Sequence, residues 1–513
     1  MAGGFRTPGC LTRLSESAKV PEPNEAGASS AARSNRWLPL LAGAAPFLVY
    51  LRTMAPTVYG LDSAELTTGA YVLGIVHAPG APTFLLLGHL FTWLPFGDVG
   101  YRVNLLSACS AALAVAMLCA VLLRLQIDRW VALAASWCLA FSYYYWISAV
   151  AAELYALHAC FISLLLWLGL RWREQHRAST LATFGLLYGL GLGNHVTLGV
   201  LAPGFAVLVL GDGEWRVARH WLVLSAAGLL GLSVYLYLPL RALSQTPLNF
   251  AAEAGVDVAT LSGFWWMLRG GMFESLFLAV PWARLPNEVA RFVYWLWSNF
   301  LGLGCLLGVV GIFEDRSLPR AVRHGLLLMI GGHLLFVLTY AVLDKDLMLG
   351  PVYLLWTVWI ALGIGPALRL IGEWWRPLRL HAAAVLATLA LLALAINLRQ
   401  ADLSNDWSAR QRGESILSVL EPNAAFIGTW AEVPVLAYLS LVEGQRTDVE
   451  TTNVFFTRRT YLPALAADRI ELGRPVYTTV PELFSRGGLS LSYVEGCDCY
   501  RVETVPPGGS GSS

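Results

Sequence analysis

Long apolar runs separated by short polar connections organise this chain. The runs fall at Trp37 to Arg52 and at 102–124, 129–148, 153–170, 179–195, 196–211, 220–240, 290–312, 323–343, 351–371 and 380–398. Most approach the ~20 residues that carry a helix across a bilayer. Two in the 153–211 region are short. The pattern predicts about eleven transmembrane helices over residues 37–399. Two polar interruptions stand out. The first, 55–101, carries Asp62, Glu65, His77, His89 and Asp98, with Pro56, Pro79, Pro82 and Pro95. That many prolines exclude one continuous helix, so a large loop beside the membrane is expected. The second, 241–289, contains WWMLRGGMF (Trp265 to Phe273), which reads as a helix lying in the interface.

From residue 400 the pattern changes to short alternating runs, among them AAFIGTW, PVLAYLSLVEG, RPVYTTV and CYRVETV. These mix strands with helices and predict a small α/β domain over 400–505. Residues 1–36 are rich in Ser, Ala, Glu and Pro and lack an apolar run, which predicts a disordered tail and no signal peptide. Residues 506–513, rich in Gly and Ser, read as a flexible tail.

Arginine placement orients the whole. Arg124 and Arg129, then Arg171, Arg173 and Arg177, then Arg216 and Arg219, then Arg316, Arg320 and Arg323, then Arg369, Arg376 and Arg379 all fall in alternate short loops. Those loops read as cytoplasmic. The N-terminus is then inside, and 55–101, 241–289 and 400–505 lie outside. A bacterial inner membrane is the expected location.

Composition agrees. Hydrophobic residues make up 56% and charged residues 13%, and mean hydropathy is +0.58, above the range of soluble domains. A net charge of +1 does not suggest nucleic acid as a partner. Cys109, Cys119, Cys138, Cys160 and Cys305 lie in apolar runs as packing residues. Cys497 and Cys499 are two residues apart, a spacing that strains a disulfide. There is no Walker loop and no His-Glu-x-x-His pair, and no metal site is assigned, although a divalent ion is not excluded.

Chemistry concentrates in the first loop. Asp62 and Glu65, three apart, fall on one helix face. The same spacing fits a capping box, with Asp62 as N-cap and Glu65 at the third helical position. His77 sits in a rigid Pro-Gly turn, GIVHAPGAP. Arg102 and Arg241 border spans on the outer side. Each can bind a lipid phosphate through a charge-assisted fork or simply snorkel. Glu153 and His195 fall near outer span ends, where ionisable groups are costly and thus functional candidates. Asp344 and Asp346 read as a solvated turn. Outer carboxylates beside a bilayer suit a transferase that uses a lipid-phosphate donor, with a carboxylate deprotonating the acceptor hydroxyl.

PTVYGLDSAELTTGAYVLGIVHAPGAP, followed by LPFGDVGYRVNLLSA, resembles the signature of a domain-of-unknown-function family in the GT-C superfamily. That family includes a vertebrate protein O-mannosyltransferase acting on plexin-type domains. Asp62, Glu65, His77, Pro79, Gly80, Pro82, Arg102 and Asn104 fit its pattern. AELYAL, GNH, YLPLRA and EPNAAF…VEGQRTDV resemble later blocks. After YLPLRA members carry Asn-Trp-Gly-Asp-Pro, whereas here Asn249 precedes Phe250, Ala251 and Ala252.

The resemblance implies a GT-C fold and inverting transfer of a sugar, mannose first, from a polyprenyl- or dolichyl-phosphate donor to a protein or glycan hydroxyl. It implies no cofactor beyond the donor. Asp62 is then the expected base, with Glu65 as partner or alternative. His77, Arg241, Arg102 and His195 are expected to hold the donor phosphate. Glu153, Tyr155 and Asn249 are expected to contact acceptor or sugar. A transporter or flippase for a lipid-linked sugar, or an envelope scaffold, remains the alternative.

Overall fold

Between Pro56 and Arg102 the chain forms two short helices, so this stretch is structured and not an open loop. They are α1 (Asp62–Val72) and α2 (Pro82–Thr92). The structure is a computed structural model that describes residues 37–314, 318–342, 344–371, 378–457, 459–484 and 489–504. The tails expected at 1–36 and 506–513, and Arg316 and Arg376, lie outside those residues. Pro82 opens α2 at the first helical turn, where a missing N–H costs nothing. The remaining prolines flank the helices, which is how so proline-rich a stretch stays helical.

Helices α3 (Val99–Arg124) and α4 (Leu154–Gln175) are central to the bundle. Among the described residues six helices are long and apolar enough to cross a bilayer. They are α3, α4, Ala218–Leu243, Arg320–Thr339, Gly350–Leu370 and Leu380–Ala401. A seventh is a pair, Trp282–Asn299 and Leu303–Phe313, bent by 108°. The sequence predicts one continuous span at 290–312. The break arises because Leu301 and Gly302 take left-handed backbone, at φ 51° and 68°. The other expected spans fall on shorter apolar helices, including Leu38–Thr53, Arg129–Ala140, Ala178–Leu192 and Val196–Leu210.

The C-terminal part forms one five-stranded sheet. Its strands are β1 (Ala425–Gly428), β2 (Glu450–Asn453), β3 (Val476–Thr478), β4 (Leu489–Val494) and β5 (Cys499–Thr504), in the order β2-β1-β3-β5-β4. β1 is parallel to both β2 and β3, and β5 is antiparallel to β3 and β4. Helix α5 (Val433–Leu441) follows β1. Strand β1 is buried on both faces, as parallel strands are. Ala425 and Ile427 face a core with Leu462 and Phe484. Phe426 faces another that includes Val58 and Ala64 from the first outer segment. The sheet therefore shares its core with the α1 region. Cys497 and Cys499 are joined in a disulfide. Asp498 between them has φ 42°, and the two Cα atoms come to 5.2 Å, so the short spacing is bridged by a tight left-handed turn.

Candidate active site

Helix α1 begins at an unusual residue. Leu61 has φ 56° and ψ −133°, and it precedes Asp62 at the first helical position. No side chain caps this end, so Asp62 and Glu65 do not form a capping box. Each carboxylate has another partner. Glu65, with no exposed surface, accepts the His77 amide at 2.5 Å on Oε1 and meets His77 Nδ1 at 2.5 Å on Oε2. Asp62 Oδ1 accepts the indole Nε1–H of Trp430 at 2.7 Å.

The turn that carries His77 is fixed from several sides. Ile75 and Asn249 form a parallel β-bridge, with Ile75 N bonded to Leu248 O and Phe250 N to Ile75 O. Gly80 has φ 93°, and a Cβ there would come within 2.8 Å of Leu238, so only glycine fits this turn. The His77 ring meets Phe273 and Trp430 edge-on at 5.8 and 5.7 Å. Trp430 in turn contacts Phe250, Phe455 and Phe456.

Burial pulls the His77 imidazolium down, but the Glu65 charge and hydrogen bond outweigh it, with Asp62 and Asp344 adding, and hold His77 up at about 9. Burial pushes Glu65 up, against the pull of His77. Both directions mean that the pair keeps one proton through neutral pH.

A second group lies at the same end of the bundle. The Tyr155 hydroxyl donates to Asp344 Oδ2 at 2.6 Å. Its ring lies 5.7 Å from that of His195, which is 5.0 Å from that of His158. Thr197 Oγ1 is bonded to His195 Nδ1 at 2.7 Å. The Glu153 main chain is held by Ser107. Burial, then the charges of Asp62 and Asp344, push the Glu153 carboxyl well above its usual range. The protein around Asp344 pushes it up too, with the Tyr155 bond opposing. Asp344 is exposed, as the reading of a solvated turn expects, and it faces the same region as Asp62 and Glu153.

Three other candidates have contacts of a supporting kind. Arg102 donates to the carbonyls of Thr92, Phe96 and Gly97, each at 2.8 Å, closing the end of α2. Arg241 donates to Leu73 O at 2.7 Å and Val72 O at 3.2 Å, closing the end of α1. Asn249 caps the Phe250–Glu253 turn through Ala252 N. Asn104 of the same signature ties Ala55 and Thr57 to Ala152, next to Glu153. Gly100 permits this approach, since a Cβ would lie 2.2 Å from Val58 N. Trp430 was missed altogether, because it lies 368 residues from Asp62.

Asp62, Glu65 and His77 place ligand atoms within 4.8 Å of one another, near enough to share a divalent cation. An ion there would displace the proton that Glu65 and His77 share.

The family model described as Protein O-mannosyl-transferase TMEM260 N-terminal domain matches residues 62–218. A Mus musculus protein named Protein O-mannosyl-transferase TMEM260 is 29% identical over 82% of this chain. A Dictyostelium discoideum protein of the same name is 26% identical over 42%. The chain spans 63% of the first relative's length and 28% of the second's. Among solved structures, ArnT from Cupriavidus metallidurans, bound to undecaprenyl phosphate, aligns with a TM-score of 0.54 at 11% identity, covering 91% of this chain and 98% of ArnT. AglB from Archaeoglobus fulgidus, in complex with an inhibitory peptide and a dolichol-phosphate, aligns at 0.51 and 11%, covering 93% and 75%. Through residues 62–218 the chain is thus similar to the TMEM260 O-mannosyltransferases, and along most of its length it is similar in fold to ArnT and AglB.

Proposed function

We propose that this chain is an integral-membrane glycosyltransferase that moves a sugar from a polyprenyl- or dolichyl-phosphate donor to a hydroxyl on protein, with inversion. Mannose is the leading sugar, after the names of the mouse and Dictyostelium relatives. The acceptor oxygen attacks the anomeric carbon and the bond from that carbon to the phosphate oxygen breaks. The lipid phosphate leaves with the electron pair, and the hydroxyl proton passes to Asp62.

The observation that carries this reading is the setting of Asp62. Trp430 holds one of its oxygens, and a protonated His77 stands close by. In this scheme His77 faces the donor phosphate, and its proton, retained by Glu65, offsets the charge of the departing group. His195 assists on the phosphate side. Glu153 and Tyr155, with Asp344, face sugar or acceptor hydroxyls. Arg102 and Arg241 keep the two helix ends in shape, because their guanidinium groups are already bonded to carbonyls. Asn249 does the same for the second loop. ArnT with undecaprenyl phosphate, and AglB with dolichol-phosphate and a peptide, support a lipid donor and a protein acceptor. The arginine pattern supports an extracytoplasmic site, and the shorter apolar helices complete an eleven-span arrangement.

The test is transfer from labelled polyprenyl-phosphate mannose to membrane acceptors by protein purified in lipid. Asp62→Asn is expected to lower transfer by about 10²–10⁴-fold with unchanged thermal melting. Equal transfer by both proteins would remove Asp62 as the base. No transfer from any lipid-linked sugar by wild type would sink the whole reading.

A further inference from the structure

The C-terminal sheet supplies a working part of the site. We infer that Trp430 is a positioning residue that orients Asp62 for proton transfer through its indole N–H. The inference rests on the reading of Asp62 as base.

Trp430 lies two residues beyond β1. The chain leaves β1 for β2 on one side and later returns to β3 on the other. The carboxyl ends of parallel strands at such a reversal are where α/β sheets place functional groups. The loop that carries it is held rigidly. Thr429 N donates to Glu432 Oε2 at 3.0 Å, Thr429 Oγ1 also bonds Glu432, and Ala431 N donates to Thr429 Oγ1 at 3.2 Å. Rings pack around the indole: Phe250 at 5.6 Å, Phe456 at 5.0 Å and His77 at 5.7 Å. Together they restrict its rotamer.

The chemistry of the contact is specific. An indole nitrogen donates and cannot accept, so it suits a carboxylate and competes for no proton. With Oδ1 of Asp62 held at 2.7 Å, the plane of the carboxylate is set and Oδ2 is directed away from the indole. Among the described residues Oδ2 accepts no hydrogen bond, which leaves it for the acceptor hydroxyl. The sheet is itself fastened to this region. The α5 residues Val433 and Leu436 share a core with Ala64, and the Tyr438 hydroxyl accepts Gly100 N at 3.2 Å.

The experiment compares Trp430→Phe, which keeps a ring and removes the N–H, with wild type in full-length protein in lipid, using labelled polyprenyl-phosphate mannose. Turnover is expected to fall about 10- to 100-fold, the range for a hydrogen bond to a charged group. KM for the donor should stay within about twofold. On an Asp62→Glu background, where the carboxylate is already displaced, the same change should cost less than about twofold. Equal losses on both backgrounds, or a rise in KM alone, would overturn the proposal. A second readout does not need transfer. In ¹⁵N-Trp-labelled protein, the indole resonance that vanishes in Trp430→Phe should move in Asp62→Ala. If it stays in place, the contact is absent and the proposal fails. If wild type transfers no sugar while that resonance moves, the proposed function fails and the contact stands.

Discussion

The two ends of the helical bundle handle charge in opposite ways. At the end with the arginine-rich loops, Arg124 pairs with Glu174 and Arg173 with Asp212, within a surrounding excess of arginine. A cavity of about 1020 Å³ opens there, lined by Arg124, Arg173 and Glu174 and by apolar residues such as Val322 and Leu362. At the other end, a helix length of about 39 Å away along α3, Asp62, Glu153 and Asp344 share one region with the His77 cation. Asp62 and Asp344 each take one donor, Trp430 and Tyr155 respectively. Carboxylates crowded together with few cations are costly to withdraw from water, which is why the proposed function is placed at this end.

The strongest way to break this contrast is to remove the pair that stabilises the cation. His77, held up at about 9 against an ordinary 6.5, binds its proton more tightly in the folded chain. Its contribution is complete below pH 6.5, where both states are protonated. It declines as pH rises from 6.5, because the unfolded chain loses its proton first, and is gone above 9. The difference corresponds to about 3 kcal/mol. Glu65→Gln should therefore lower stability at pH 6 by less than that amount, because the variant also sheds the burial cost of the Glu65 carboxylate, and flatten the fall in melting temperature between pH 6.5 and 9. A melting curve that keeps its full pH slope in this variant would show that Glu65 does not hold the proton.

A smaller effect tests whether the arginines at the carboxylate end belong to the phosphate site or to the scaffold. Arg241 bonds the last carbonyls of α1, so Arg241→Ala should cost about 2 kcal/mol of stability and leave donor KM within about twofold. A tenfold rise in donor KM with unchanged melting would move Arg241 into the phosphate site.

These cases show what a sequence carries. Asp62, Glu65 and His77 were legible because they lie within sixteen residues of one another in a stretch whose prolines forbid a span. The α/β character of the C-terminal part was legible from its alternating runs. Trp430 and Asp344 were not, since each meets its partner across 368 and 189 residues, a distance at which no local pattern survives. Arginine at a span end reads the same whether a phosphate or a carbonyl takes its N–H groups, so Arg102 and Arg241 could not be sorted. The eleven expected spans include several whose helices are short, and apolar length alone does not reveal a left-handed break such as Leu301-Gly302.

The smallest expected effect is the sharpest test of the contrast. Arg124 and Glu174 form an ion pair whose Glu side chain is 48% exposed, and such pairs are worth less than about 1 kcal/mol. Arg124 also stacks over Trp167, an interaction that adds about 0.5–1 kcal/mol at exposed sites. Arg124→Ala should therefore lower the melting temperature slightly and leave sugar transfer as in wild type. If transfer collapsed while the protein stayed folded, the cavity at the basic end would be part of the working machinery. The separation of a basic end from the carboxylate-rich end that the proposed function uses would then be wrong, whatever Asp62 does.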